Sequence, residues 1–436
     1  MNRSAVREFH AGGIDVRAGE VLVPTLIGDP DGGSLSCPAA PLLAGSLQRK
    51  GRTVRFAPVP QFRDPRYEGD QDGGVAGAVL FAAVCQQYAG GTVVLAAGAA
   101  PADRLAAAAA RAAVEEWAAV LGTRRLLLAA SPWCGGARRA LEAADRALAG
   151  AGGRTVHIYG RLAASAQAAA DLAGRGAVFG AELADMAGGD IIVLAAHGVP
   201  PQVRAQAAER GLTVVDATCP LVAAAQAQAA KLAVRGDHVV VIGQPEHPAA
   251  TAIAGHGGPA ATVVATSAEA ATLRARDARR VSYLLAPGLP VEDSAPVAAG
   301  LRSRFPAVRG PHPDGFCYAA SDRADSIRAI AAGADLVLIA GEPASADARQ
   351  LAGLARDRGT RAVVVARAGD ISPAMLAGTS SVGIAESTSA SPGLAAEVLS
   401  ALSGLGPVSV VRRQVTTTID GQPAVMAPAG ADGLSA

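Results

Sequence analysis

The sequence predicts an α/β protein with three similar αβ lobes and an additional N-terminal α/β segment. Short apolar runs bounded by glycine alternate with alanine-rich stretches of helical length through most of the 436 residues, as parallel sheets with connecting helices require. Half of the residues are apolar but only 3% are aromatic, so the cores must consist of Val, Ile, Leu and Ala. One pattern recurs three times: a cysteine, an alanine-rich helix, a glycine, a buried strand and a second glycine.

The same patterns place the individual elements. Helices are expected at residues 104–120 and 222–234, where alanine-rich stretches end near glycine. Strands are expected where short apolar runs lie between glycines, at residues 21–23, 92–95, 126–128, 191–194, 212–215, 239–242, 336–339 and 362–365. A helix-like stretch from Cys37 to residue 50, followed by a strand at 53–56, is either a fourth copy of the repeat or a generic αβ unit.

Breaks in this pattern predict three parts of the chain. Residues 1–122 form an N-terminal α/β domain of unknown role, which ends at the Gly122 turn. Residues 123–404 form the three cysteine-containing lobes. Residues 405–436 lose periodicity and are expected to be a mobile C-terminal tail.

Composition excludes several classes of protein. The net charge is +1, from 39 basic and 38 acidic residues, which argues against a nucleic-acid or anionic-membrane surface. No run of 18 apolar residues predicts a membrane span. The first 15 residues lack the apolar segment of a secretory signal, so we expect a cytoplasmic protein. Five widely spaced cysteines are then reduced thiols or metal ligands rather than disulfides.

The recurrent cysteines are the strongest indication of chemistry. Cys134, Cys219 and Cys317 each open a helix, where the helix dipole and free backbone N–H groups favour a thiolate. Three lobes arranged about a pseudo-threefold axis could bring these thiolates to one [4Fe–4S] cluster and leave one iron open. The alternative is that they are small buried apolar residues, as we expect for Cys85. Structural zinc is disfavoured because the sequence has no Cys-x-x-Cys pair.

Four strings of residues point to a known family. They are AAHGV at 195–199, DATCPLV at 216–222, the His247-Pro248 pair, and FCYA at 316–319 followed by Arg323. In order and spacing, from about residue 126 to 402, the chain resembles the LytB-type 4-hydroxy-3-methylbut-2-enyl diphosphate reductases of the methylerythritol phosphate pathway of isoprenoid biosynthesis. The first 122 residues have no counterpart in a minimal member of that family.

The resemblance implies an iron–sulfur oxidoreductase. Cys134, Cys219 and Cys317 would hold the [4Fe–4S] cluster, which serves as Lewis acid and electron conduit. The family carries out a two-electron reductive dehydroxylation of a small allylic diphosphate. Electrons come from a ferredoxin or flavodoxin, water leaves, and the products are isopentenyl and dimethylallyl diphosphate. His197 and His247 correspond to two histidines that bind the diphosphate.

The substrate pocket departs from the family pattern. No histidine occurs near residues 163–165, and Ala249 replaces the proton-relay glutamate that follows the His-Pro pair. The family's threonine-rich segment becomes LLAPG at 284–288, and its Ser-Ser-Asn-Ser diphosphate cradle becomes SADA at 345–348.

Four residues stay candidates for roles in this pocket. Ser345, Asp347 and the matching Ser389 are the remaining substrate-binding candidates in the last lobe. Asp347 would repel an anion unless it is protonated or turned away. Glu246 is either a substitute proton donor or a solvated loop charge.

Three functions are compatible with this pattern. The first is the family's own reductase activity. The second is an iron–sulfur reductase that acts on a different hydroxylated or allylic substrate, because the cysteines are kept while the pocket is altered. The third is a non-catalytic cluster-binding protein that senses redox state or assists a partner enzyme.

Overall fold

The computed structural model describes residues 6–28, 33–63, 77–87, 91–129, 134–160, 166–391, 393–413 and 415. The chain divides into two compact units. The first unit takes residues 1–132, 164–170 and 325–414, and the second takes residues 133–163, 171–324 and 415–436. The described residues of each unit have their own hydrophobic cores.

The N-terminal part of the first unit is a seven-stranded mixed sheet with the order β4-β2-β3-β7-β6-β1-β5. Its elements are β1 (Arg7–Gly12), β2 (Glu20–Gly28), β3 (Ser34–Ser36), α1 (Ala40–Arg49), β4 (Thr53–Val59), β5 (Gln61–Arg63), β6 (Ala78–Gln86), β7 (Thr92–Ala99) and α2 (Arg104–Ala118). Asp103 caps α2 by accepting a hydrogen bond from the backbone of Ala106 at 2.9 Å. Strand β8 (Arg124–Ala129) follows, and it belongs to a different sheet.

Two parallel sheets follow in the second unit, with the orders β10-β9-β11-β12 and β14-β13-β15. Their elements are α3 (Gly135–Ala149), β9 (Val156–Tyr159), α4 (Ala166–Gly174), β10 (Ala177–Phe179), β11 (Ile191–Leu194), α5 (Pro201–Glu209), β12 (Thr213–Asp216), α6 (Pro220–Val234), β13 (His238–Ile242), α7 (Pro248–His256), β14 (Thr262–Val264), α8 (Ser267–Thr272), β15 (Val281–Leu285) and α9 (Val291–Arg304). Helix α4 runs across the boundary between the units.

The chain then returns to the first unit and completes a five-stranded parallel sheet, β17-β16-β18-β8-β19. The remaining elements are α10 (Ala319–Ala331), which crosses the boundary between the units, β16 (Leu336–Ala340), α11 (Ala346–Arg356), β17 (Arg361–Val365), α12 (Pro373–Leu376), β18 (Ser381–Glu386), α13 (Leu394–Ser403) and β19 (Val408–Arg413).

One core joins the N-terminal sheet to this five-stranded sheet. The buried Trp117 of α2 and the buried Leu338 of β16 belong to the same apolar cluster. Backbones also pack closely, because a β-carbon at Gly45 would lie only 1.9 Å from the carbonyl oxygen of Gly369. Arg49 donates a hydrogen bond to the Ile371 carbonyl at 3.1 Å. The N-terminal sheet is therefore an integral part of the first unit.

Each recurrent cysteine lies where the chain passes from one parallel sheet to the next. Cys134 follows β8 of the five-stranded sheet and precedes β9 of the four-stranded sheet. Cys219 connects β12 of that sheet to β13 of the three-stranded sheet, and Cys317 lies between β15 and β16 of the five-stranded sheet. The three cysteines thus occupy the same place in a repeating connection.

The predicted strands and helices are confirmed, and the helix-then-strand pattern after Cys37 corresponds to α1 and β4. Residues 408–413, which fall within the predicted tail, form β19, paired in parallel with β8. Residues 416–436 lie outside the described part of the chain. The boundary predicted at residue 122 stays a prediction, as does a common axis for the three lobes. Within the described residues, no helix combines the length and apolar character needed to cross a membrane.

Candidate functional site

Cys134 and Cys219 lie beside each other at the starts of two helices. Cys134 is the N-cap of α3, and its Sγ accepts a hydrogen bond from the backbone N–H of Ala137 at 3.4 Å. Cys219 is the N-cap of α6, whose first residue is Pro220. A β-carbon at Gly136 would lie 2.9 Å from Cys219 Sγ and 3.7 Å from Cys134 Sγ. The absence of a side chain at Gly136 lets Cys219 approach the start of α3, next to Cys134.

Cys317 lies near the other two thiols. Burial raises the pKa of the Cys317 thiol, and the neighbouring charges of Cys134 and Cys219 raise it further. Backbone hydrogen bonds from Ala319 and Gly288 act in the opposite direction. Cys317 therefore lies within electrostatic range of both other thiols, and the backbone N–H groups of Ala319, at the start of α10, and of Gly288 face its sulfur.

The segment before Cys219 is held by Asp216. Arg204 forms an ion pair with Asp216 at 2.8 Å, and the Thr218 backbone N–H donates to Asp216 Oδ1 at 3.0 Å. Burial raises the pKa of the Asp216 carboxyl, but the hydrogen bonds from Arg204 and Thr218 outweigh it and hold the pKa below its usual range. The Cys219 backbone N–H donates to the Ala196 carbonyl at 2.9 Å. The DATC string therefore shapes the turn that presents the thiol.

His197 and His247 are brought together in the second unit. Their ring centroids are 4.8 Å apart at an interplanar angle of 57°. The Nδ1 atom of His247 accepts a hydrogen bond from the Ala249 backbone at 3.3 Å. A β-carbon at Gly288 would lie 3.0 Å from His247 Nε2. Gly288, whose backbone also donates to Cys317, thus packs against the histidine pair.

The three thiols can be compared with the ligand set of an iron–sulfur cluster. Among the described residues, no group of three or more His, Cys, Asp or Glu side chains is arranged to hold one ion. A four-iron cluster is larger and holds its thiolates farther apart. Two of the three thiols cap helices, and backbone N–H groups bind the sulfur atoms of Cys134 and Cys317, which are features of protein sites that hold iron–sulfur clusters. Cys134, Cys219 and Cys317 therefore fit an iron–sulfur cluster.

Glu246 and Ala249 flank the start of α7. Glu246 is exposed in the turn before His247, whereas Ala249 is buried and its backbone N–H donates a hydrogen bond to the His247 ring. The position that carries an acid in the family therefore has an apolar, fully packed side chain here. Residues 163–165, where a further histidine is absent from the sequence, lie outside the described residues.

In the first unit, Asp347 is turned toward the loop after β18. Its Oδ2 atom accepts hydrogen bonds from the Thr388 backbone N–H at 2.7 Å and from the Thr388 hydroxyl at 2.9 Å. Ser345 is the N-cap of α11 and accepts a hydrogen bond from the Ala348 backbone at 3.4 Å. The carboxylate thus uses two donors that would otherwise be available to an anion.

Ser389 lies in the same loop with a second hydroxyl. Ser387 Oγ and Ser389 Oγ are 2.7 Å apart, and the backbone N–H of Glu342 donates to Ser389 Oγ at 3.0 Å. Gly341 has a φ of +154°, and a β-carbon there would lie 1.9 Å from Ser387 Oγ. Glycine is required at 341 because the serine loop occupies the space of a side chain.

The two remaining cysteines are packing residues. Cys37 belongs to the hydrophobic core of the first unit, where burial raises the pKa of its thiol to about 12. Cys85 is buried in β6, and burial raises its pKa as well. The expectation of a core cysteine at position 85 is confirmed. The helix after Cys37 begins at an N-cap of Ala39, so Cys37 does not repeat the capping position of Cys134 and Cys219.

Three structural residues of the site were not predicted. Gly136 and Gly288 leave space beside the thiols and the histidine pair, and Thr388 binds Asp347. A glycine two residues after a helix-starting cysteine was the available signal for Gly136. The Pro287-Gly288 dipeptide indicated a turn, but it did not indicate which side chains would lie beside that turn. Nothing in the sequence connects Thr388 with Asp347, 41 residues away.

Comparison with known proteins places residues 126–403 in the sequence family described as LytB protein. A 4-hydroxy-3-methylbut-2-enyl diphosphate reductase of Mycobacterium bovis is 37% identical over 297 residues, which is 67% of this chain and 90% of the relative. The enzyme of the same name from an Azoarcus species is 34% identical over 286 residues, covering 65% and 91% of the two chains.

Solved structures share the fold. The E-1-hydroxy-2-methyl-but-2-enyl-4-diphosphate reductase of Plasmodium falciparum superposes with a TM-score of 0.60 at 21% identity, covering 69% of this chain and 96% of that one. A second structure, of (E)-4-hydroxy-3-methyl-but-2-enyl diphosphate reductase, gives a TM-score of 0.52 at 24% identity and covers 64% and 99% of the two chains. The family match covers residues 126–403, which is more than half of the chain and includes the grouped thiols and histidines. This chain is therefore a member of the LytB family.

Proposed function

We propose that this chain is a [4Fe–4S] reductase that removes the hydroxyl group of 4-hydroxy-3-methylbut-2-enyl diphosphate to give isopentenyl and dimethylallyl diphosphate. The observation that carries the proposal is the grouping of three thiols, with Cys134 and Cys219 meeting at Gly136 and Cys317 within electrostatic range of both. Relatives named for this activity align over about nine-tenths of their length. Together, these observations support the parent activity of the family.

The cluster would be held by Cys134, Cys219 and Cys317. When bound, it supplies Lewis acidity and two successive electrons, which a ferredoxin or flavodoxin would deliver. The protein contributes the surroundings of the thiolates. Helix-start N–H groups, such as that of Ala137 on Cys134, stabilise negative charge on sulfur, and the Gly288 N–H does the same for Cys317.

The histidine pair would bind the anionic end of the substrate. The Ala249 N–H already binds Nδ1 of His247, so the proton of a neutral ring lies on Nε2. That N–H can be donated to a diphosphate oxygen. The hydroxyl groups of Ser345 and Ser389 are further candidate donors, and we assign them the same substrate-binding role.

A second candidate is reduction of a different hydroxylated substrate by the same cluster. Two observations favour it: the buried Ala249 replaces the family's acid, and Asp347 adds a negative charge while binding the donors of Thr388. A proton donor in the transition state is typically worth about 10²- to 10⁴-fold in rate. If the parent substrate is used, Glu246 is the nearest exposed acid in the chain to position 249 and is the candidate replacement.

The experiment is turnover by anaerobically purified, reduced protein supplied with 4-hydroxy-3-methylbut-2-enyl diphosphate, with the five-carbon diphosphates measured as products. His247→Gln is expected to raise KM about 10- to 100-fold, because a charge-assisted hydrogen bond is lost. His312→Gln is the matched control, since His312 is an exposed histidine of the same unit, 77% accessible.

Three results separate the candidates. Turnover with an intact cluster supports the parent activity, and so does rescue of a strain that lacks its own reductase. An intact cluster without turnover refutes the parent activity and leaves reduction of another substrate or a non-catalytic redox role. Protein that is colourless and free of iron after anaerobic purification contradicts every cluster-based proposal.

A further inference from the structure

An arginine-rich cavity lies in the second unit at the end of the three-stranded sheet opposite the thiols. The cavity has a volume of about 340 Å³ and is lined by Arg235, Asp237, Asp277, Arg279, Arg280, Val281 and Arg309. Strands β13 and β15 both begin at this edge and end near the Cys317 side, where Ile242 and Leu285 line a separate, apolar pocket. Five residues of strand separate the two ends by about 16 Å.

The acidic residues of the cavity are already engaged. Asp237, with its side chain only 5% exposed, pairs with Arg235 and accepts a hydrogen bond from Ser282 Oγ at 2.6 Å. The hydrogen bond from Arg235 holds the pKa of the Asp237 carboxyl below its usual range. Asp277 Oδ1 accepts the backbone N–H of Arg279 at 2.9 Å. Both carboxylates therefore have hydrogen-bond donors of their own, and the charge of Asp237 also acts on Arg309.

Two guanidinium groups face the cavity without a bonded partner. Among the residues that the structure describes, the side chains of Arg279 and Arg309 make no hydrogen bond or ion pair. Arg309 is nevertheless fixed by its backbone, which accepts from the Tyr283 N–H at 2.8 Å and donates to the Val281 carbonyl at 3.2 Å. Arg280 is braced by a hydrogen bond to the Arg235 carbonyl at 2.9 Å.

The net positive charge of the cavity lining indicates which class of ligand it would bind. Four arginines and two aspartates leave a net charge of +2 in a cavity that is large enough for a small ligand. All four cations are arginine, whose planar fork matches phosphate oxygens bidentately. We propose that this cavity binds a small phosphorylated polyanion of the diphosphate class, at a site separate from the thiols. The chain as a whole carries +1, so this local excess is offset by acidic residues elsewhere in the chain.

The test is calorimetric titration of the full-length protein with inorganic pyrophosphate at low ionic strength. We expect binding with a dissociation constant at or below about 1 mM. Arg279→Ala combined with Arg309→Ala is expected to weaken binding at least about tenfold, because two charge-assisted contacts are lost. Arg274→Ala combined with Arg276→Ala is the matched control, since these exposed arginines lie in the same segment but outside the cavity lining.

Further variants make the result unambiguous. Arg279→Lys with Arg309→Lys keeps the charge and should retain part of the wild-type affinity. This variant replaces the alanine variant in the comparison if the alanine variant fails to fold. His197→Ala with His247→Ala removes the histidine pair proposed above to bind a diphosphate, and it should leave the arginine-dependent binding unchanged. The proposal is overturned if pyrophosphate fails to bind, if sulfate binds as tightly as pyrophosphate, or if affinity follows the histidine variants rather than the arginine variants. Each of these results is independent of whether the chain is a reductase.

Discussion

The thiol and histidine group of the second unit and the serine and aspartate loops of the first unit differ in how far they follow the family pattern. In the second unit, every cysteine lies at or just before a helix start. The rings of His197 and His247 lie beside each other at a tilt, with centroids 4.8 Å apart. In the first unit, Asp347 lies where the resemblance predicts an amide, and it binds both donors of Thr388.

Cluster binding and anion recognition depend on different features of the chain. A cluster needs sulfur ligands, fixed N–H donors and space, all of which depend on backbone geometry. Recognition of an anion depends on the sum of charges and donors in the pocket, so one side chain can alter it. Variants in each region should therefore affect different measurements.

The largest effect is expected from Cys219→Ser. Loss of a cluster ligand should remove iron and reduce any turnover more than about 100-fold, since even residues behind the ligands typically contribute 10- to 100-fold. Iron per chain and visible absorbance after anaerobic purification measure the change. Cys85→Ser is the control, because Cys85 is a buried packing residue of β6. Equal iron in wild type and the Cys219 variant would contradict the ligand assignment.

Gly136→Ala should have the next largest effect. Its new methyl group would lie 2.9 Å from Cys219 Sγ, which is tighter than normal contact. We expect lower cluster occupancy and cluster loss in air that is several-fold to about tenfold faster. Gly135→Ala is closely matched, because a β-carbon at Gly135 meets nothing within 4 Å. If both variants keep the cluster equally well, the close approach of Cys219 to Gly136 does not matter for cluster binding.

Asp347→Asn should act on substrate affinity instead of on iron. Removing one negative charge should lower KM for 4-hydroxy-3-methylbut-2-enyl diphosphate by roughly threefold to tenfold, since like charges repel. Steady-state kinetics at constant iron content measure the effect. Asp357→Asn makes the same charge change at the exposed end of α11 and should do nothing. An unchanged KM in the Asp347 variant would show that this carboxylate does not face the substrate anion.

The smallest effect on the cluster is expected at Cys37, because it packs in the core of the first unit. Cys37→Ala should leave iron content and redox potential unchanged. Its effect should instead appear as a pH dependence of stability. Burial raises the pKa of the thiol from 9.0 to about 12.

Below pH 9 the Cys37 thiol is neutral in both the folded and the unfolded protein. Above pH 9 the thiol ionises only in the unfolded chain, until the pH reaches the pKa of the thiol in the folded protein. The free energy of unfolding of the wild type should therefore fall by up to about 1.4 kcal/mol per pH unit in this window, relative to the variant. Urea titrations at several pH values measure it. Altered iron content in the variant would instead support the fourth-copy interpretation.

The fold and the ligand set were accessible from the sequence because they depend on local patterns. Cysteine, alanine-rich helix, glycine and buried strand repeat at short range, and DATCPLV specifies a turn with its own Asp216 and Thr218 contacts. The role of residue 347 was less accessible. Its partner Thr388 is distant in sequence, and only folding determines whether a carboxylate points at a ligand or at a loop.

By itself, the sequence determined the alternation of strands and helices, the helix-start positions of the three cysteines and the membership of the family. These features follow from hydrophobic periodicity and from residue types that act on their immediate neighbours. The tertiary structure decided that Gly136 makes room for two sulfur atoms, that Asp347 binds Thr388, and that four arginines share one cavity. Each of these depends on segments that meet only after the strands pair, because distances between remote side chains are not encoded in any local pattern.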